Sequence, residues 1–542
     1  MFKFRYWSLL LVSHSLYALT TLTVTLSSDN NPGGMGDVGD LRYMLNLMNQ
    51  DLNTIPDDYA IVFASPMTIQ LNGILPVINN SPNPMNITIG NPGPVPTVII
   101  DGNSGAYSGF FIPTGNVTIQ NMIFQNLTAK GGNGGDGISG GGGGLGAGGA
   151  IYAPQSFLNG SNPSITLMNV SINNCSAVGG NGGNYLGPAA TGHEGGGGGF
   201  SGNGGSITTT GITGGAGGGG YGGDGGDVTL STTDMLGGGG GGGLGSRATV
   251  GVTTNLGHGG SDQNAGLDGN GYGLTITAGS GGGGNSGGNN AGGGGGGAAI
   301  AFGGGGGGSL GANGMSAQGN IPPLQGKFRV NATPSGGNGG DGAGGGGGGV
   351  VIVGPSNGID GQAGSGGYGG GGGGSGLGGA IFVDSNLNLT VQALPGIPTV
   401  FNTSNNTTQA GTHGAGGPGG TDGLDGSAMG NSIFLRAGSS LTLRAQNAND
   451  ILTLGNQVAF ADDTVFGAGN TSVFVNGNGS VIYNGTTDYL GIVKIDNANF
   501  KVNGQIDQAS VFVCRNTGIS SQRGTLSGRG VLTGNDSRQL VS

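Results

Sequence analysis

The sequence predicts an all-β chain: a right-handed parallel β-helix with an N-terminal capping helix and large glycine-rich excursions, polyglycine II-like or disordered. Three observations carry this expectation. Short runs of alternating apolar and polar residues, separated by Asn, Gly and Pro, fill both ends of the chain. A unit recurs, with NVTIQNMIFQNLTAKGGNGG (116–135) lining up with SITLMNVSINNCSAVGGNGG (164–183) at an offset of 48 residues. Glycine supplies 139 of 542 residues, and they concentrate between 131 and 380. Repeated strand pairs cannot bury a face alone, but stacked copies share one core. Asn at equivalent turns (Asn121 with Asn169, Asn126 with Asn174) is expected to stack into an amide ladder. The competing architecture is a β-sandwich with unrelated asparagines.

Residues 1–18 read as a secretory signal. Lys3 and Arg5 precede an apolar run over 6–18, with cleavage expected after Ala18. The run is shorter than the ~20 apolar residues a spanning helix needs, and no later segment reaches that length. Residues 19–130 are expected to hold the cap and the first layers. Strand signals are LTVTL, AIVFA (60–64), MTIQL (67–71), NITIG (86–90), TVIID (97–101), FFI (110–112) and NVTIQNMIF (116–124). The exception is 36–50, where Leu41, Met44, Leu45 and Met48 take helical spacing behind a capping Asp37 or Asp40. A stack of strands has an open end, and this helix is placed to cover it.

Residues 131–380 interleave glycine strings with further layers. The return to ordinary sequence is itself repeated: GLGAGGAIYA (144–153) resembles SGLGGAIFVD (375–384), with fainter returns at AAIAF (298–302) and VVIV (350–353). A third copy of the unit falls at 330–342, where Asn331 stands in for Asn126. Collagen needs Gly at every third position and abundant Pro, and the chain has 20 Pro. Two readings stay open for the strings: polyglycine II threads bonded through their peptide groups, or mobile loops. Residues 381–542 return to strand signals such as LNLTV, SIFLR, LTLRA, ILTLG, SVFVN, SVIYN, IVKID, FKVNG and SVFVC.

Charge narrows the function classes. The net charge is −11, from 26 acids and 15 scattered Lys and Arg, and Glu194 is the sole Glu. No basic patch is available for phosphates, so nucleic acid is excluded as a partner. Cys175 and Cys514 are too few for a disulfide framework and are read as buried small side chains far apart in the stack.

GGNGGDGIS (131–139) fits the calcium-roll nonapeptide, and Asp136, Asp224 and Asp341 are the candidate ligands. No copy follows another in tandem, so no metal site is assigned. The glycine strings lack the Lys-Ser/Thr of a phosphate loop. Asp462 and Asp463 with His258 resemble fragments of a polygalacturonase site, in reversed order. His193 with Glu194 lacks the second His of a zinc site, and His413 sits in a glycine-rich loop. No catalytic, cofactor or metal residues are assigned. Triplets such as Asn86, Ile87, Thr88 and Asn169, Val170, Ser171 fit glycosylation acceptors, but the alignment places Asn169 at a structural turn.

Taken together, the signal, GDLRYMLNLMN (39–49), TVIIDGN (97–103), NVTIQNMIFQN and the two Gly-Gly-Ala-Ile copies at 148–151 and 378–381 resemble the passenger region of bacterial autotransporter and polymorphic outer-membrane adhesins. In that class a Gly-x-Leu-Arg helix opens the β-helix, which implies that role for Gly39, Asp40, Leu41 and Arg42. The outer-membrane barrel of the class is not read in these residues. The resemblance implies a secreted or surface-displayed, non-enzymatic protein of adhesion or cell-surface structure, with surface receptors or glycans as partners and no cofactor. A β-helix enzyme acting on polysaccharide is the first alternative, marked by carboxylates with Lys or Arg along one strand face; a smooth Asn, Ser and Thr face marks the structural reading. A calcium-stabilised exoprotein is the second alternative.

Overall fold

The computed structural model describes residues 19–32, 34–50, 58–78, 86–137, 140–154, 162–186, 198, 201–206, 369–463, 471–514 and 524–533. The leader at 1–18, the repeat copy at 330–342 and the returns at 298–302 and 350–353 lie outside the described residues.

Described strands group into parallel sheets, the largest of ten, nine and five strands. Each sheet collects its strands in chain order, and after the first pair (Leu19–Val24 with Asp58–Phe63) consecutive strands of the chain fall in different sheets. Asn116–Gln120 joins the ten-stranded sheet, Met122–Gln125 the nine-stranded sheet and Thr128–Lys130 a three-stranded sheet, and Ser164–Met168, Ser171–Asn173 and Ser176–Val178 repeat that assignment. The two sequence repeats therefore lie side by side: Ser164 pairs with Asn116, Ser171 with Ile123 and Ser176 with Thr128. The next layer begins at Asn388–Gln392, paired in register with Ser164–Met168.

The run 116–124 reads as one strand in sequence but is broken in two at Asn121. Asn121 and Asn169 adopt left-handed φ of 53° and 55°, which turns the chain from one sheet into the next. Few side chains tolerate that region; Asn does because its amide bonds locally. The Asn169 amide donates to Asn121 Oδ1 at 2.7 Å, and Asn121 donates to the Asn91 carbonyl at 2.7 Å. Asn126 and Asn174 turn the same way, but the Asn126 amide bonds Asp101 Oδ2 at 3.0 Å.

Alternating residues point inward from the strands. Val117, Ile119, Ile165, Leu167, Leu389, Val391, Leu441 and Leu443 are all buried in one continuous core. The five-stranded sheet differs, because it is covered on both faces. Ile151, Ile381 and Ile433 enter the main core, while Phe111, Tyr152, Phe382 and Phe434 stack on the opposite face at centroid spacings of 5.1, 5.1 and 5.8 Å. Leu145, Ala147 and Leu377, which arrive from the glycine strings, pack against this aromatic ladder. Burial on both faces is why Ala-Ile-Tyr and Ala-Ile-Phe lack alternation. Gly148 and Gly378 enter these strands with φ of 61° and 64°, and a Cβ on Gly148 would sit 2.1 Å from the Ile151 carbonyl oxygen. A third copy of this entry, Gly430 before Asn431, Ser432 and Ile433, carries φ 68° and keeps just the first glycine of the motif.

Helix Leu41–Gln50 buries Leu41, Leu45 and Met48 in the main core with Val24 of the first strand. Asp40 is its cap, accepting the Tyr43 amide at 2.6 Å, while Asp40 Oδ2 accepts the Asp37 amide at 2.7 Å. Arg42 is 2% exposed and forks onto Asp29, Nε to Oδ1 at 2.6 Å and Nη2 to Oδ2 at 2.9 Å. Its remaining donors reach the Gly73 and Ile74 carbonyls at 3.0 and 2.6 Å, and Asp29 Oδ2 also accepts the Asn72 amide at 2.8 Å. Every nitrogen and oxygen of the buried pair is thus hydrogen-bonded, and the pair ties the helix to the loop after Met67–Gln70.

Removing one partner of such a pair strands a buried charge. Arg42→Ala is expected to lower unfolding free energy by about 3–5 kcal/mol in a urea titration followed by circular dichroism. Arg42→Lys is expected to recover part of it, since one ammonium cannot reproduce the fork.

Candidate functional site

The described glycine strings form a second lattice beside the sheets. Gly131, Gly134 and Gly137 donate to the carbonyls of Val178, Asn181 and Asn184. Gly140, Gly143 and Gly146 donate to Gly369, Gly372 and Ser375, and Gly141 and Gly144 donate to Gly135 and Gly132. Gly179 and Gly182 continue to Gln409 and Thr412, and Gly371 and Gly374 reach Gly183 and Gly180. Every run steps by three residues along both partners, so each extended thread bonds several neighbours in turn. A Cβ at Gly140, Gly143 or Gly371 would lie 1.7, 1.9 or 2.0 Å from a neighbouring carbonyl oxygen. Close approach, not flexibility, is what requires glycine here.

Thread composition follows position in this lattice. The interior thread 140–146 is Gly throughout except Leu145, which faces the aromatic ladder. Threads 131–136 and 179–184 read Gly-Gly-x, with Asn133, Asp136, Asn181 and Asn184 at x. The x residues form ladders. Asn133 Oδ1 accepts the Asn181 amide at 2.9 Å, and Asn181 Oδ1 accepts the Thr412 amide at 3.0 Å. One step along, Asp136 Oδ1 accepts the Asn184 amide at 2.6 Å, and Asn184 Oδ1 accepts the Ala415 amide at 3.0 Å. Asp136, the calcium-roll candidate, therefore occupies a structural place in a backbone-capping ladder. Asp224, Asp341, His193, Glu194 and His258 lie outside the described residues.

The outer face of the ten-stranded sheet is a second regular surface. Asn86, Asn116, Ser164, Asn388, Ser440 and Ser472 stack in one column, and Thr88, Thr118, Thr166, Thr390 and Thr442 in the next. Asn116 donates to Asn86 Oδ1 at 2.9 Å, and the Ser440 and Thr442 hydroxyls donate to Asn388 Oδ1 at 3.0 and 3.2 Å. Past Thr442 the column changes to Phe474 and Lys494, whose Nζ lies 5.5 Å from the ring centroid.

Asp462 and Asp463 belong to a buried ionic cluster. Asp384, Arg436 and Asp463 each follow an in-register strand of the five-stranded sheet, so they stack on consecutive layers. Arg436 Nη1 lies 3.2 Å from Asp384 Oδ1, and Nε lies 3.6 Å from Asp463 Oδ2. Asp463 is 1% exposed and its Oδ1 has no hydrogen-bond partner among the described residues. Burial pushes its carboxyl above the usual range, against the opposing pull of the Ala437 amide and Arg436. Asp462 Oδ2 accepts the Thr471 hydroxyl at 2.6 Å, and Tyr489 OH lies 2.8 Å from the same oxygen of Thr471. The sequence marked the two aspartates but not Asp384 and Arg436; the signal was their shared place after Ile-Phe-Val and Ile-Phe-Leu.

His413 is exposed, and its Nδ1 lies 2.6 Å from Asp425 Oδ1. Bonds from the His413 amide and ring hold the Asp425 carboxyl below its ordinary range. Cys175 is buried and free, and burial pushes its thiol up to about 12. The strand Ser510–Cys514 is five steps of the ten-stranded sheet beyond the Cys175 layer, roughly 24 Å at ~4.8 Å per strand. Among the described residues no group of three or more His, Cys, Asp or Glu is placed to hold a metal ion, and no helix is long and apolar enough to cross a membrane. Comparison with protein-family models, with curated proteins and with solved structures finds no match to the chain in any of them.

Two outcomes test this site chemistry. Chelator is expected to leave the thermal midpoint unchanged, and so is Asp136→Asn, because an amide oxygen caps the Asn184 amide as Asn133 caps Asn181. A fall in either scan shows calcium at the ladder. Asp463→Asn is expected to raise the midpoint at neutral pH. The folded carboxyl binds its proton more tightly than the unfolded one, so wild-type Asp463 is least unfavourable below the unfolded pKa and loses stability as pH rises through the folded pKa. The gain from Asp463→Asn therefore shrinks in melts repeated at acid pH.

Proposed function

We propose that this chain is a secreted or surface-displayed, non-enzymatic protein of adhesion or cell-surface structure, built as a right-handed parallel β-helix with packed polyglycine II threads along one side. The reading of the fold rests on chain-order strand addition in parallel register, with the chain moving to another sheet between partners. Parallel crossovers are right-handed in nearly all proteins, which supplies the hand. The three-residue step of the glycine hydrogen bonds supports the thread geometry.

The observation that carries the functional reading is the pair of Asn, Ser and Thr columns that runs from Asn86 and Thr88 to Ser440 and Thr442 on the ten-stranded sheet. Over that length the two columns are neutral and regular, and they offer amide and hydroxyl groups rather than converging acids and bases. They suit contact with glycans or other surfaces over a length of stack, with no single reacting centre. Resemblance to adhesin passengers points the same way.

Antibody labelling of intact cells of the source organism and an adherence assay test the proposal. Labelling at the surface, with adherence lost on deletion of the gene, is the expected result. Retention of the chain inside the cell, with adherence unchanged, overturns it.

The polysaccharide enzyme remains second, favoured by Asp384 and Asp463 on either side of Arg436 with Asp462 next in the chain. Their burial ranks it lower, because a polymer bond must reach the carboxylates. Release of reducing ends from a polysaccharide panel, abolished by Asp463→Asn, is the result that promotes it.

A further inference from the structure

One strip of the ten-stranded sheet stands apart from the rest of the chain in its charge. The chain carries a net charge of −11. Yet five consecutive strands of this sheet, Asn86–Ile89, Asn116–Gln120, Ser164–Met168, Asn388–Gln392 and Ser440–Ala445, hold no Asp or Glu, and Arg444 is their one cation. Charge returns on either side. Asp58, on the strand before the strip, accepts the Asn86 amide at 2.8 Å, and Lys494 and Asp496 stand two strands beyond it.

The strip also has hydrogen-bonding capacity to spare. Asn86, Asn116 and Asn388 are exposed, and Thr88, Thr118, Ser164 and Thr166 are half-exposed. Among the described residues these four hydroxyls make no hydrogen bond to protein. Each hydroxyl can donate once and accept twice, and each amide can do both. Met168 is the one apolar side chain on the outward face of these strands. A protein partner needs an apolar centre to its interface, and the strip has none.

Geometry selects the shape of the ligand. The five strands pair in register, so the same two polar columns recur at each layer. Layers are ~4.8 Å apart, and the columns, two residues apart on the strand, are about 6.6 Å apart. A compact ligand engages one or two layers. A linear polymer whose repeat is comparable to the layer step engages all five. An extended 1,4-linked pyranose chain has such a repeat, and each of its sugars carries hydroxyls at the ring edges. Anionic polymers are repelled by the chain as a whole, and cationic ones find no carboxylate on the strip.

Resting on the glycan-contact reading above, we propose that this strip is a track for a linear, uncharged, 1,4-linked polysaccharide lying along the stack, one sugar to a layer. The track ends where Phe474 replaces threonine in the column.

Titration of the purified full chain with labelled oligosaccharides tests this, using 1,4-linked glucose, xylose, mannose and N-acetylglucosamine series from dimer to octamer. In at least one series affinity is expected to climb from dimer to pentamer and then level off, while 1,4-linked galacturonate of equal length does not bind. Thr118→Val combined with Thr166→Val keeps the β-branched shape and removes two hydroxyls from the middle of the track. It is expected to weaken the pentamer roughly tenfold at an unchanged melting midpoint, the loss of two neutral hydrogen bonds. Thr453→Val, a half-exposed threonine on the nine-stranded sheet, is expected to change nothing. No binding in any series overturns the proposal, and so does equal affinity for dimer and octamer. Undiminished binding by the Thr118 and Thr166 variant, or equal weakening by Thr453→Val, overturns it too. The length profile of the unmutated chain decides the question even where a variant fails to fold. If the track fails while surface labelling and gene-dependent adherence stand, the adhesion reading survives it; loss of both removes that reading whatever the titration gives.

Discussion

The in-register backbone hydrogen bond from one layer to the next is the constraint on which the rest of this structure depends. It is made twice, in two different lattices. In the sheets, strands lie ~4.8 Å apart and their side chains point to alternate faces. In the glycine lattice, threads approach closely enough that Cβ atoms are excluded from most positions. Both lattices advance with the same step of the chain. Thr128 meets Ser176, Asn133 meets Asn181 and Asp136 meets Asn184, each pair 48 residues apart. A layer can carry a sheet and a thread together because both are held by peptide groups with a common repeat.

Side chains at the boundary between the lattices make the two into one body. The aromatic ladder from Phe111 to Phe434 has the main core behind its strands and glycine threads before it. Leu145 and Leu377 supply apolar surface that the threads otherwise lack. Glycine costs more conformational freedom on folding than any other residue. Dense peptide hydrogen bonding and contact with this ladder offset that loss. The same logic accounts for Asn133, Asp136, Asn181 and Asn184, which cap amides along the threads.

Burial decides the fate of the acidic groups. Asp29 is matched at both carboxylate oxygens by Arg42 and the Asn72 amide, so its charge is accommodated. Asp463 shares Arg436 with Asp384 at a longer distance, and its carboxyl is pushed upward. Two ion pairs of similar burial thus differ in how completely the carboxylate is solvated by protein groups.

Strand alternation, the 48-residue repeat and the Asn turns were legible in the sequence because each is a local consequence of backbone geometry. Alternation follows from the pleat, Asn121 and Asn169 from the left-handed turn, and Gly148 and Gly378 from the same region of φ. The helix was legible from its spacing, although Asp40 rather than Asp37 caps it. Other features had no local signature. Whether glycine strings order depends on neighbours supplied by remote segments, as when Gly140 bonds Gly369. The strand Thr399–Ser404 carried too few apolar residues to be read, and its pairing with Ser171–Asn173 and Ile451–Leu454 defines it. Asp384, Arg436 and Asp463 are brought together by the stacking of layers, over separations that no spacing rule spans. The sequence by itself determined which residues turn, which alternate and which repeat, because those are properties of a chain with its nearest neighbours. Only the tertiary structure decided which glycines meet and which charges are buried, because those depend on what the next layer places alongside.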